Sequence, residues 1–383
     1  MKECQFPKTI ININKRDSFF LALYFIIYIL ISQHGILKYV ALSGAIVLTL
    51  LITTKINLKY FVVMIHALFY TAYGALLSYV NMMFSFDSVK QILIYICPGL
   101  FSIFFFSIYG KKNSKKMLDV QFVGLCLAYI CLFARKINYS SLSFESHMYA
   151  YIFGAFAIIY FWQKRYRWML SALLFMFIED KRIVFLAFGV TLFFSFIIGK
   201  IRNERYLGII NKWLSFLLLI CPIIWIYLCS SGVLELIFQL LEINSMGRLN
   251  GSSAWSQAGQ YYDFSPVYLG RGIGWVLGWL GRAGISSFPI LHNDFLAGYI
   301  ELGFWGYVMW IILFLTIPCL LRKNVHIANA VILLTGYMFI NFLTDNTYIY
   351  VTWLLPFYSI LLAIVYGKDG VLPYGKNDYT DEQ

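Results

Sequence analysis

Twelve apolar runs follow one another along the chain, at roughly 18–37, 39–54, 60–82, 91–109, 117–134, 148–162, 168–182, 183–199, 213–231, 294–320, 325–343 and 347–366. A helix needs about 20 apolar residues to cross the roughly 30 Å hydrocarbon core of a bilayer. Twelve such helices would use about 240 residues, which matches a chain of 383 residues that is 61% hydrophobic. Only 13% of residues are charged, against about 25% in soluble domains, so a soluble globular enzyme and a disordered chain are both excluded. A transmembrane barrel would alternate apolar and polar residues rather than run apolar. The expected fold is therefore all-α: a polytopic helical membrane protein with about twelve transmembrane helices.

An even number of spans puts both ends of the chain on one side, and the cations test which side. With the N-terminus inside, 21 of the 30 Lys and Arg fall in inside segments and 9 in outside segments. Because Lys and Arg favour the cytoplasmic side, the arrangement reads N-in and C-in. The net charge of +12 is then a topological signal, and no nucleic-acid partner is expected. The first apolar run is followed by no small-residue cleavage site, so it reads as an uncleaved span. The seven cysteines, Cys4, Cys97, Cys126, Cys131, Cys221, Cys229 and Cys319, lie mostly in apolar runs. They have neither a disulfide-framework nor a zinc spacing. No internal repeat is evident. The expected organisation is nine helices over 1–231, one large extracytoplasmic loop over 232–293, three helices over 294–366 and a cytoplasmic tail over 367–383.

Three places on the expected outer side carry charge or titratable groups that need explaining. The first is Glu179-Asp180-Lys181-Arg182, midway along 168–199 with basic clusters on both flanks. One helix over that stretch would be about 48 Å long, so a hairpin is expected. Its first arm is only about 16 Å, which leaves the tetrad below the outer surface, either as a functional group or as an ion-paired cap.

The second place is the long loop, with Arg248, Arg271 and Arg282. Arg271 sits in Gly270-Arg271-Gly272-Ile273-Gly274, where glycine N–H groups and a guanidinium could receive an anion, or where the loop is simply flexible. Trp255, Tyr261, Tyr262, Trp275 and Trp279 are candidates for stacking on sugar rings, or for an interfacial aromatic belt. The third place is His292-Asn293-Asp294, where the loop meets the next span. Asn293 or Asp294 can cap the helix that follows, and His292 is a titratable group at the membrane surface. Glu301 lies two turns further on, and Asp345 and Asn346 begin the last outside turn.

Leu291-His292-Asn293-Asp294-Phe295-Leu296, followed by Glu301-Leu302-Gly303 and Gly306, resembles the H-N-x-x-L-x(4)-E-x-G-x-x-G signature of the O-antigen polymerase and ligase superfamily. That superfamily comprises the Wzy-type polysaccharide polymerases and the lipid A-core ligases. The similarity covers spacing and residue type over 15 positions, at the end of a long outside loop, and the layout of spans is also similar. The family's Ser-Arg ahead of a mid-chain span appears here as Lys181-Arg182, so only Arg182 matches.

The resemblance implies a glycosyltransferase fold of the membrane-embedded C type in a bacterial cytoplasmic membrane, with its site facing outside. No sugar nucleotide reaches that compartment, so the donor must already be activated on a lipid. The implied reaction is polymerisation of undecaprenyl diphosphate-linked repeat units into O-antigen, capsule or exopolysaccharide. His292 would be the general base. Arg182, Arg248 and Arg271 would hold the diphosphate, with Asn293, Glu301 and Asp345 in support. The reaction would need neither metal nor cofactor. Expected partners are the lipid-linked glycans, membrane lipid, and flippase and chain-length regulator proteins. Two alternatives stand beside it: ligase-type transfer to another acceptor, and a transporter of an anionic lipid-linked glycan.

Overall fold

The computed structural model describes residues 14–33, 35–137, 148–240, 254–282, 291–321, 324–345, 347–369 and 371–372, without the side chains of 55, 133–137, 254 and 281–282. The described residues form helices and no strand. In chain order these are α1 (Lys15–Ile31), α2 (Ile36–Leu51), α3 (Ile65–Val80, entered through a 3-10 stretch Leu58–Met64), α4 (Phe86–Phe105, continued by a π turn Phe106–Gly110), α5 (Ser114–Ile137), α6 (Tyr149–Trp162), α7 (Tyr166–Ile178), α8 (Arg182–Lys200), α9 (Glu204–Ser230), α10 (Val233–Leu240), α11 (Ala254–Ala258), α12 (Trp275–Arg282), α13 (Asp294–Phe314), α14 (Thr316–Leu320), α15 (Val325–Phe342) and α16 (Val351–Tyr366).

A helix lies under each of the twelve apolar runs. Among the described residues six are, by length and composition alone, long and apolar enough to cross a membrane: Leu58–Val80, Phe86–Gly110, Arg182–Lys200, Glu204–Ser230, Asp294–Phe314 and Val325–Phe342. Four more, α2, α6, α7 and α16, are apolar but shorter. The protein is thus membrane-embedded and helical. The short α6 and α16 have a physical reason for their length: both are buried nearly throughout, so neighbouring helices rather than bilayer thickness set how far they extend.

The core is aromatic and lies around α4, α6, α13, α15 and α16, with Trp310, Trp353, Tyr151 and Tyr348 fully buried. α15 packs against both α8 and α9. Those two helices form a perimeter and are only 22% and 11% buried over their most apolar windows. Leu186, Phe193, Trp213 and Phe216 point outward from them, which is unremarkable where the surroundings are lipid tails as apolar as the side chains.

α13 is not one straight span. Gly303, at φ 70° and ψ −178°, breaks it, a conformation that only glycine adopts without strain. Residues 12 apart on a straight helix are about 18 Å apart along its axis, yet the rings of Phe295 and Tyr307 are 6.4 Å apart. The first half, through Leu302, therefore folds back against the second. Glu301 does lie two turns along the helix from Asp294, as expected, but that helix is a half-helix that ends just beyond it and folds back.

Candidate functional site

A break in a buried helix orphans carbonyls on one side and N–H groups on the other, and in a membrane these must find partners. The segment around Gly270–Gly274 supplies them. Arg271 N donates to Ile300 O at 2.9 Å and Gly272 N to Glu301 O at 2.8 Å, while Phe304 N donates to Tyr268 O at 2.9 Å. Ile273 N donates to Gly74 O on α3 at 3.0 Å, and Ile273 O accepts from Ser78 and Ser88. A Cβ on Gly270, Gly272 or Gly303 would collide with backbone. The glycines of this loop are there for backbone-to-backbone contact with α3, α4 and α13. The reading that these N–H groups serve an external anion is corrected for Gly272, whose N–H a carbonyl already takes, and for Gly274, whose N–H is turned to the Glu301 carboxylate.

Glu301 completes this docking. Fully buried, its carboxylate accepts from Tyr70 Oη (2.9 Å), Gln91 Nε2 (2.7 Å) and Val276 N (3.1 Å). The last lies in the first turn of α12, where a carboxylate is favoured by the helix dipole and by unpaired N–H groups. Glu301 thus pins the loop helix to α3 and α4. Arg271 is committed nearby: Nε and Nη2 donate to Tyr261 O at 3.2 and 3.1 Å, and the guanidinium lies 5.8 Å from the Trp275 ring centroid. In this arrangement it holds the loop and does not present an open fork to a phosphate.

The titratable centre lies at the start of α13. Asn293 is its N-cap and accepts from Leu296 N at 2.9 Å. His292 precedes it at φ 53°, a left-handed conformation that costs a non-glycine residue energy and often marks a functional position. The ring is directed toward Asp345, with Nδ1 3.4 Å from Oδ1. Asp345 is 1% exposed and is also the partner of Lys181 Nζ, the Tyr151 hydroxyl and the Tyr350 hydroxyl. Burial alone would raise its carboxyl, but hydrogen bonding from His292 and the Lys181 charge hold it well below the ordinary carboxylate range. Asp294 N donates to Asp345 O, and Asp294 Oδ2 accepts from Thr347 and Tyr348 N. These bonds fix the 343–350 segment against the start of α13.

The charged tetrad does break the stretch in two, with Glu179-Asp180-Lys181 as the turn between α7 and α8; α7 packs on α6 and α8 on α15, and the two meet where Phe177 lies against Phe185. In that turn Lys181 forms an ion pair with Asp345, whereas Arg182 is exposed and makes no hydrogen bond or ion pair among the described residues. Lys181, set aside from the sequence as a departure from a motif, is the residue that reaches the centre. Tyr151 and Tyr350 were also missed. A buried tyrosine in an apolar run carries no signal of its own. Arg248 and Asn346 lie outside the described residues, as does the side chain of Arg282.

The five stacking candidates divide into two groups. Trp255 and Tyr262, with Phe264, Asp263 and Glu235, line a cavity of about 400 Å³ at the end of α9. Trp255 Nε1 donates to Leu291 O, next to His292. Tyr261 and Trp275 instead pack on each other at 5.1 Å and on Trp279. A second cavity, of about 300 Å³ and almost wholly apolar, runs between α8, α9 and α15 past Phe194, Leu218 and Leu333 to Phe295 and Leu343. These last two residues flank the His292–Asp345 centre in sequence. Among the described residues no group of three or more His, Cys, Asp or Glu is placed to hold a metal ion.

No protein-family model matches the chain, and comparison with curated proteins likewise returns no match.

Proposed function

We propose that this protein is a glycosyltransferase of the outer face of a bacterial cytoplasmic membrane, and that it polymerises undecaprenyl diphosphate-linked repeat units into a cell-surface polysaccharide. The observation that carries the reading is the His292–Asp345 pair, a histidine held in a left-handed backbone conformation with its Nδ1 on a buried carboxylate. That is how a general base is oriented: the carboxylate fixes the tautomer and stabilises the imidazolium that forms.

The chemistry follows from the neighbours. Nε2 of His292 takes the proton of a sugar hydroxyl on the acceptor chain. The freed oxygen attacks the anomeric carbon of the donor glycan. The bond from that carbon to the phosphate oxygen breaks, and the diphosphate leaves with the electron pair. Arg182, on the turn beside Lys181, is the cation best placed by sequence to meet that charge, and its planar fork suits phosphate oxygens. The cavity with Trp255 and Tyr262 offers aromatic faces and the carboxylates of Asp263 and Glu235, the mixed lining that sugar rings and hydroxyls favour. The apolar groove ending at Phe295 and Leu343 suits an isoprenoid tail.

The test is polymerisation of purified lipid-linked repeat units by the wild-type protein and by His292→Ala. The expected result is a loss of turnover of about 10²–10⁴-fold with donor binding retained. Normal polymer from His292→Ala would remove the base and with it this mechanism. A deletion strain should accumulate single repeats on the carrier; long carrier-linked chains in that strain would mean transfer to a different acceptor.

A further inference from the structure

We infer that the protein has a second binding site, for the phosphodiester headgroup of an anionic glycerophospholipid, at the opposite end of α15 from His292. Asn329 and Asp345 are 16 positions apart, about 24 Å along a helix, so the two sites lie near opposite membrane surfaces. A cavity of about 470 Å³ opens there between the ends of α6 and α8, the 201–202 segment that follows α8, the first turns of α15, and Leu372. Its polar lining is Ser195, Arg202, His326 and Asn329, and among the described residues no Asp or Glu lines it.

Asn329 points to a ligand. It is 3% exposed, and among the described residues neither its amide nitrogen nor its amide oxygen has a hydrogen-bond partner. A buried amide left this way destabilises the fold, so an orphan of both kinds in the wall of a cavity calls for a molecule that both accepts and donates. A phosphodiester accepts, and a headgroup hydroxyl such as that of phosphatidylglycerol donates. Arg202 is exposed and carries no ion pair among the described residues, so its guanidinium supplies the charge that favours an anion. Trp162, Ile198, Ile201 and Leu333 form the rest of the wall, an apolar surface for the glycerol and the roots of the acyl chains. Lys164, Arg165, Arg167, Lys200 and Arg205 crowd the same turns, as basic residues do beside an anionic leaflet. This site is independent of the chemistry at His292.

The experiment uses the purified full chain, delipidated in detergent, with thermal unfolding and native mass spectrometry as readouts. Dioleoyl phosphatidylglycerol should bind roughly tenfold or more tightly than dioleoyl phosphatidylcholine and should raise the unfolding midpoint. Arg202→Gln and Asn329→Leu should each abolish that preference. Without lipid, Asn329→Leu should unfold no earlier than wild type, since it removes the orphan amide. Equal binding of the two lipids, or a preference that survives Asn329→Leu, would overturn the site. Inorganic phosphate that matches the lipid's stabilisation and blocks its binding would overturn the lipid assignment in favour of a free anion. If leucine at 329 is not tolerated, the exposed Arg202→Gln carries the decision alone.

Discussion

His292 and Asp345 lie 53 positions apart and meet with Nδ1 3.4 Å from Oδ1, and the same carboxylate receives Lys181 from the α7–α8 turn. One buried side chain therefore ties together the residue before the α13 N-cap, the turn between α7 and α8, and the segment after α15. The arrangement fixes the imidazole from one side through Oδ1 and holds Lys181 through Oδ2 of the same carboxylate.

Asp345→Asn should consequently lose turnover by about 10²–10⁴-fold, since an amide no longer stabilises an imidazolium. It should also lose stability, because Lys181 is left partly buried without its counter-ion. The folded carboxyl is held low, so its stabilisation is complete above the unfolded value of about 3.9 and is lost as pH falls through the folded value. The gap in unfolding midpoint between wild type and Asp345→Asn should therefore narrow below about pH 4. Retained turnover in Asp345→Asn, measured with purified lipid-linked substrate, would dissociate the pair from catalysis.

Lys181 and Arg182 are neighbours with opposite expectations. Lys181→Met removes a partner from Asp345 and should lower both the unfolding midpoint and activity. Arg182→Lys should leave the midpoint unchanged, because the side chain is exposed and unpaired among the described residues. It should nonetheless lose tenfold or more in turnover, since a charged hydrogen bond is worth about 1.5–3 kcal/mol and about 1.4 kcal/mol is a factor of ten. Full activity in Arg182→Lys would end its assignment to the diphosphate.

The helices were legible because an apolar run of span length has few other uses, and so was the break at 179–181, which follows from two basic flanks and a length too great for one helix. The site was legible in part. His292, Asn293 and Asp345 carry polar chemistry at span ends and could be singled out. Lys181 could not, because which of two adjacent cations turns inward depends on the exit angle of α7, where Asp180 takes φ 43°. The glycine loop was misread for a related reason. Glycines that present N–H groups to an anion and glycines that present them to carbonyls look the same until the break at Gly303 is seen. Only tertiary structure shows that Ile300 and Glu301 have carbonyls in need of donors.

That interlock is testable through glycine itself. Gly272→Ala and Gly303→Ala each place a methyl against backbone in a left-handed conformation, and each should reduce folded yield or lower the unfolding midpoint markedly. Gly189→Ala is the control: it is helical with nothing within 4 Å of the added Cβ, and should be neutral or stabilising by about 0.5–1 kcal/mol. Equal behaviour of the three variants in detergent unfolding would refute the backbone contact described here.

Glu301 separates a structural carboxylate from a chemical one. Glu301→Ala leaves Tyr70, Gln91 and Val276 N short of an acceptor, each at about 1–3 kcal/mol, and should loosen α12, seen as faster amide exchange over 275–282. Glu301→Gln keeps one oxygen for these donors and should retain most activity with a lowered midpoint. Loss of activity in Glu301→Gln at an unchanged midpoint would place the charge of Glu301 in the reaction.

The orientation on which the outside site depends rests on the distribution of cations, 21 to 9, and can be read with two labels. In a cysteine-free background, Gln260→Cys lies in the loop between α11 and α12, and Lys112→Cys lies in the turn before α5; both positions are exposed. With the N-terminus inside, an impermeant maleimide should modify Gln260→Cys in intact cells (spheroplasts where an outer membrane is present) and Lys112→Cys only after lysis. The reverse pattern would put His292 and Asp345 on the cytoplasmic face. Sugar nucleotides are available there and a lipid-linked donor would no longer be required, so the reaction proposed here would lose its premise while the His292–Asp345 geometry stood unchanged.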